Sequence, residues 1–238
     1  MTDIFDRLLA LQGRDTVIDQ LAHRLLSLPE RGALEEVTSR RATTEAALTE
    51  VARQVDDLSG RQRELEEQIT AATDRRHELE RRMRTGTGYS TRDLQTMDHE
   101  VNQLARHQAS LEEHELALVE EEDPLDTVLA EHRAEFEELV REAERLEAAI
   151  AQAEVAIARD TEAAQAARDE LAAGLPSDLV ARYEAIRRRR GGVGAAGLVG
   201  DRCDGCHLVL PAVDLDRIRR LPADEVVICP ECDRILVR

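Results

Sequence analysis

The stretch that decides the fold is LEEVTSRRATTEAALTEVARQVDDLSGRQRELEEQITAATDRRHELERRM, residues 34–83. Leu34, Val37, Arg41, Thr44, Leu48, Val51, Val55, Leu58, Gln62, Leu65, Ile69, Ala72, Arg76, Leu79 and Met83 follow one another in steps of three and four without a skip. That spacing makes the seam of a left-handed coiled coil. Most other positions are charged, polar or Ala, so the segment has one sticky stripe and cannot be buried all round. It requires a partner helix.

The chain supplies one downstream. Thr85-Gly86-Thr87-Gly88 has the character of a turn, and Ser90 with Asp93 reads as an N-terminal capping pair in which Asp replaces the usual Glu. From Leu94 a second unbroken register runs through Met97, Val101, Leu104, Gln108, Leu111, Glu115, Leu118 and Glu122 to Leu171. The expected fold is mainly α, a long antiparallel coiled-coil hairpin with its tip near 85–90. Residues 4–84 and 91–171 are equal in length, which sets Leu34 beside Arg141 and Ile4 beside Leu171.

Three features of the helical region leave alternatives open. Residues 3–28 place Ile4, Leu8, Leu11, Ile18, Ala22 and Leu25 on one stripe that Asp15 interrupts, and Pro29 with Gly32 breaks the helix before a restart near Ala33. This first segment either extends the hairpin or folds back as a third strand of a short bundle. Pro124, following Glu120-Glu121-Glu122-Asp123, either opens a new helix or kinks a continuous one; the uninterrupted heptad count favours the kink. The acidic run is a solvated face or a dock for a basic partner. Arg41, Thr44, Gln62 and Arg76 on the seam are stems leaving a thin core or polar layers that fix register.

Composition narrows the function. Aromatic residues are 2% of 238, Trp is absent and the net charge is −18, which suits long helices and opposes indiscriminate binding to nucleic acid or anionic lipid. There is no leader-like start and no apolar stretch long enough for a membrane span, so the reading is cytoplasmic, with no membrane partner, as a monomer or weak dimer. His99, His107, His114 and His132 lack ligand spacing, and no phosphate loop or nucleophile grouping occurs. A non-enzymatic protein follows.

Past Gly174-Leu175-Pro176 the composition changes, dividing the chain into a hairpin domain over 1–173 and a smaller domain over 174–238. Ser177 is expected to cap a short helix that runs through Leu179, Tyr183 and Ile186 to Arg187-Arg188-Arg189-Arg190 and stops at Gly191-Gly192. Val193–Val199 fits a small strand or hairpin, Val226–Ile228 leads into the second cysteine pair, and Ile235–Val237 leaves it as a candidate strand. Cys203-Asp204-Gly205-Cys206 and Cys229-Pro230-Glu231-Cys232 are two C-x-x-C turns, which together offer four thiolates to a single structural Zn2+. Four thiolates leave no open position for a reactive water, and His207 is not needed as a ligand. Arg202 and Arg234 flank the turns and either offset thiolate charge or touch a partner. The Arg187–Arg190 run reads as the only concentrated positive patch, for phosphate contact or as a solvated helix end.

The sequence from Pro176 through the Arg run, the Gly-rich strand, Cys203–Cys206, Leu208-Val209-Leu210-Pro211 and Cys229–Leu236 resembles a bacterial family with an N-terminal coiled-coil hairpin and a C-terminal C4-type zinc ribbon. Ser90 to Glu100 resembles that family's return after the tip. The resemblance implies a non-enzymatic scaffold: a flagellar regulator of this kind in Helicobacter binds an alternative sigma factor and a flagellin messenger RNA, and a chlamydial relative is linked to that sigma factor and to secretion proteins. By resemblance the four cysteines are zinc ligands, and the partners are a protein such as a sigma factor or another transcription or secretion component, with RNA as the alternative. Asp233 departs from the family's pattern, standing where Gly is usual. Acidity and scarce aromatics weigh against RNA.

Overall fold

The computed structural model describes residues 4–238; Asp3, the expected start of the first helix, lies outside them. The N-terminal region is helical and the C-terminal region is a small β motif: α1 (Ile4–Leu26), α2 (Pro29–Thr85), α3 (Thr91–Ala173), α4 (Ser177–Arg189), β1 (Ala195–Val199), β2 (Arg202–Cys203), α5 (Ala212–Arg220), β3 (Val227–Ile228) and β4 (Ile235–Val237). Residues pack into two compact units, one spanning 33–145 and the other combining the chain up to Gly32 with Leu146–Arg238.

In the first unit, burial follows the expected seams. The buried residues of α2 are Thr44, Leu58, Ala72 and Leu79, and those of α3 within this unit are Leu111, Leu118, Leu129, Leu139 and Ala143, all seam positions. Polar residues of the two seams meet: Glu122 accepts from Gln62 Nε2 at 2.8 Å, and also from Ser59 Oγ beside the seam at 2.6 Å. So one carboxylate of the acidic run faces inward, and Gln62 is a polar layer rather than a stem leaving the core. On the flank, Arg40 pairs with Glu135 at 3.3 Å and Arg75 with Glu100 at 2.8 Å. Pro124 lies inside an unbroken α3, as the heptad count favours.

The turn is built as the sequence indicates. Gly86 and Gly88 have φ of 60° and 93°, left-handed values that glycine adopts without a Cβ penalty. Asp93 Oδ2 accepts from Ser90 N at 2.9 Å and Ser90 Oγ at 2.6 Å, while Asp93 N donates to Ser90 Oγ at 3.2 Å. This reciprocal box satisfies donors that the start of α3 leaves open.

The second unit departs from expectation at its N-terminal helix. The α1–α2 break falls at Ser27-Leu28, and Pro29 begins α2 instead of interrupting it; proline suits a first helical position because that amide has no intrahelical acceptor. The buried face of α1 is Phe5, Leu8, Leu11, Gln12 and Asp15, whereas Ile4 and Leu25 are exposed. Along this part of the unit Asp15 meets Arg168 at 3.1 Å, Arg7 lies over Gly174, and further on Arg31 of α2 meets Glu154 at 2.5 Å.

The sheet has order β2-β1-β4-β3, with β1 and β4 parallel and the outer pairs antiparallel. Alternation along a strand sends successive side chains to opposite faces. Ala195 and Ile235 therefore join Leu8, Leu11, Leu175, Leu179 and Tyr183, while Ala196 and Leu236 join Leu210, Leu215, Ile218, Val227 and the cysteines. One face rests on α1 and α4 and the other on the cysteine turns and α5. Packing thus binds α1 to the β motif across the expected 173–174 division.

Candidate metal centre

Two matching turns build the centre. Cys203 N donates to Leu208 O at 3.0 Å and His207 N to Cys203 O at 2.8 Å; Cys229 N donates to Arg234 O at 2.9 Å and Asp233 N to Cys229 O at 3.0 Å. The residue after each second cysteine is left-handed, His207 at φ 61° and Asp233 at φ 59°. Asp233 therefore takes the conformation the usual Gly would supply, one that Asp tolerates better than most residues. His207 serves the same turn geometry and is exposed.

Cys203, Cys206, Cys229 and Cys232 place their Sγ atoms within 4.8 Å of one another, and Cys203 Sγ lies 4.0 Å from Cys232 Sγ. A tetrahedral ion with metal–sulfur bonds of about 2.3 Å sets its ligand atoms roughly 3.8 Å apart, so the cluster is geometrically suited to a metal ion. Three of the four cysteines are buried. Burial pushes the Cys203 thiol up and the Cys229 thiol up to about 12. For Cys232 burial also raises the value, but hydrogen bonds from Arg234 and neighbouring groups outweigh it and leave the thiol lowered. An ion entering here must displace protons, which couples its binding to pH. Among the described residues, the histidines form no comparable group.

Four of the six arginines singled out in the sequence hold partners within the chain. Arg187 Nη2 is 2.6 Å from both carboxylate oxygens of Asp19, and its Nε is 3.7 Å from Asp15. Arg190 pairs with Asp233. Arg234 donates to Val193 O and Arg190 O, both at 3.0 Å, and so braces the second cysteine turn. Arg189 Nε donates to Ala185 O at 3.2 Å. Arg188, Arg189 and Arg202 are exposed.

A polar cluster beneath the sheet had no counterpart in the sequence reading. Gln12 Oε1 accepts from Gly194 N at 2.6 Å and Tyr183 Oη at 3.2 Å, and Gln12 Nε2 donates to Gly192 O at 3.0 Å. Tyr183 Oη also donates to Asp15 Oδ2 at 2.6 Å, and Arg168 joins Asp15 at 3.1 Å to Glu184 at 2.6 Å. Burial first, and then the Asp15 carboxylate, push the Tyr183 phenol well above its ordinary range, so it stays a donor. The interruption of the α1 stripe at Asp15 was the available signal. The short helix α4 has Pro176 at its N-cap, and Ser177 makes no capping bond.

Comparison with known proteins agrees with this architecture. Residues 11–191 match the CT398-like coiled coil hairpin domain, and residues 202–236 match the C4-type zinc ribbon domain. Rv2229c of Mycobacterium tuberculosis is 33% identical, with 97% of this chain and 94% of that protein covered. A solved Mycobacterium smegmatis structure is 30% identical with a TM-score of 0.81, covering 100% of this chain and 98% of that one. The fold is shared with CT398 from Chlamydia trachomatis, at 17% identity and TM-score 0.61 over 99% and 97% of the two chains. It is shared also with HP0958 from Helicobacter pylori, at 17% identity and TM-score 0.51 over 98% and 96%. The two matched domains are a coiled coil hairpin and a zinc ribbon, in keeping with a non-enzymatic chain; no helix among the described residues is long and apolar enough to cross a membrane. The chain belongs to the family of CT398-like coiled coil hairpin proteins that carry a C-terminal C4-type zinc ribbon.

Proposed function

We propose that this protein is a cytoplasmic, zinc-stabilised adaptor that holds a protein of the transcription or secretion machinery, a sigma factor being the partner its family resemblance implies. The four-cysteine cluster carries the reading: a single Zn2+ on Cys203, Cys206, Cys229 and Cys232 is closed to substrate and serves to rigidify a recognition end. In this reading residues 1–173 form an antiparallel coiled-coil hairpin and 174–238 the ribbon domain, with α1 as the ribbon's floor. Arg40–Glu135 and Arg75–Glu100 lie on one flank of the register and Arg31–Glu154 on the other. The seam midway between them sets Val37 opposite Ala143 and Leu79 opposite Val101, about five residues further along α3 than equal arm lengths suggested.

Metal analysis of protein purified without added zinc should give about one zinc per chain. Titrating purified sigma factors with wild type and Cys229→Ser should give ribbon-dependent binding. Absence of binding to any of them, together with salt-sensitive binding to RNA or DNA, would move the function to the alternative, a nucleic-acid regulator. That alternative now rests on Arg188, Arg189 and Arg202, because Arg187 and Arg190 are committed to Asp19 and Asp233.

A further inference from the structure

The unit of residues 33–145 carries two oppositely charged surfaces that its internal ion pairs do not consume. Residues 81–92 around the turn contain four arginines, Arg81, Arg82, Arg84 and Arg92, and no carboxylate. The Arg187–Arg190 run is therefore not the only concentrated positive patch. Glu78 takes Arg81 and Arg82, whereas Arg84 and Arg92 are exposed and make no ion pair among the described residues. Along α3, residues 112–123 contain seven carboxylates and no arginine. Glu122 turns inward to Ser59 and Gln62, but Glu120, Glu121 and Asp123 remain exposed.

That acidic segment also leaves apolar surface in water. Leu116 is 59% and Val119 is 42% exposed. Leu116, Val119, Glu120 and Asp123 are spaced by three, four and seven, so they share one helix face. At the turn, Met83 and Tyr89 are half-buried and bring apolar surface beside the arginines.

We propose that the turn of one chain docks on the Leu116–Asp123 face of a second copy, in a two-fold pair that makes the contact twice. The proposal rests on the antiparallel pairing of α2 and α3 put forward above. Roughly 40 Å of helix separates the turn from Leu116, so two hairpin tips laid side by side in opposite directions overlap by about that length. Each chain then gives one basic turn and receives another, which closes the pair and leaves no half-contact to propagate. At a net charge of −18, two copies repel in most orientations, and that repulsion selects the one register in which opposite patches meet.

Sedimentation equilibrium of the zinc-loaded full chain over a wide concentration range tests this. Wild type should dimerise at low salt, with the constant weakened about tenfold or more at 0.5 M salt. Arg84→Glu/Arg92→Glu and Glu120→Arg/Asp123→Arg should each be monomeric, because each homodimer then sets like charges together twice. Mixed in equal amounts they should form a heterodimer, since both contacts become complementary again. A wild type that stays monomeric, a dimer indifferent to both reversals, or a mixture that fails to associate would overturn the proposal. Far-UV circular dichroism separates the two levels: helicity independent of concentration in a monomer leaves the hairpin standing, while helicity lost on dilution shows that α2 and α3 pair between chains.

Discussion

Gln12 illustrates how much one side chain carries when backbone donors depend on it. Its carbonyl takes the amides of Gly194 at 2.6 Å and Ala195 at 3.3 Å where β1 begins. Gln12→Ala leaves both amides buried without an acceptor and should cost about 1–3 kcal/mol in chemical denaturation. Gly194 is constrained from the other side: a Cβ there would lie 2.7 Å from Tyr183 O and from the tyrosine ring. Gly194→Ala should destabilise the same unit, because backbone and a packed ring cannot step aside as a flexible side chain can; a wild-type melting curve would contradict this. Neither role was legible in the sequence. Pattern reading finds apolar residues at helical spacing, and Gln12 and Asp15 break that pattern; their reason for burial, Tyr183, lies 171 and 168 positions away. The cysteines were legible because each C-x-x-C turn declares its geometry locally.

At the scale of elements, the long helices were readable throughout because a heptad repeats the same information many times, and every buried residue of α2 is one the register names. Short elements carry less. Helix α5 went unread although Asp214 in its first turn, Leu215 and Ile218 on its buried side and Arg217, Arg219 and Arg220 in its last turn form an ordinary amphipathic pattern; nine residues between two cysteine turns offer too few periods to stand out. The start of α3 gives a pH prediction. The Asp93 carboxyl is held below its usual range by the Ser90 hydroxyl first and the Ser90 amide second. A depressed carboxyl stabilises above its unfolded value and loses that contribution as pH falls through the folded one. The protection of amides 91–95 relative to their intrinsic exchange rates at each pH should therefore fall on acidification, and Asp93→Ala should show low protection at all pH values. The cysteine turns give another prediction: a strong chelator should abolish the ribbon's protected amides and leave most of the helical signal, since an S4 site can supply on the order of 10 kcal/mol to so small a fold.

At the scale of the whole molecule, charge and connectivity separate what composition alone merges. The −18 balance is spread along helices whose carboxylates pair with arginines of the neighbouring helix or turn, so acidity by itself says little about where partners bind. The unit containing the ribbon draws on both ends of the described chain: Leu8 and Leu11 of α1 share a core with Leu179, Tyr183, Ala195 and Ile235. Deleting residues 1–28 should expose the sheet's lower face and lower the ribbon's thermal midpoint even with metal bound; an unchanged midpoint would show that α1 merely rests there. The central place of β4 between β1 and β3 has a consequence for how the chain is made. A ribosome delivers α1 about two hundred residues before Ile235, so the apolar face of α1 waits over that length of synthesis for the strand that covers it. Over that interval it is a site for nascent-chain chaperones, and a transcript truncated before Ile235 would yield a product whose helices can form but whose waiting face is never closed, a ready mark for proteolysis.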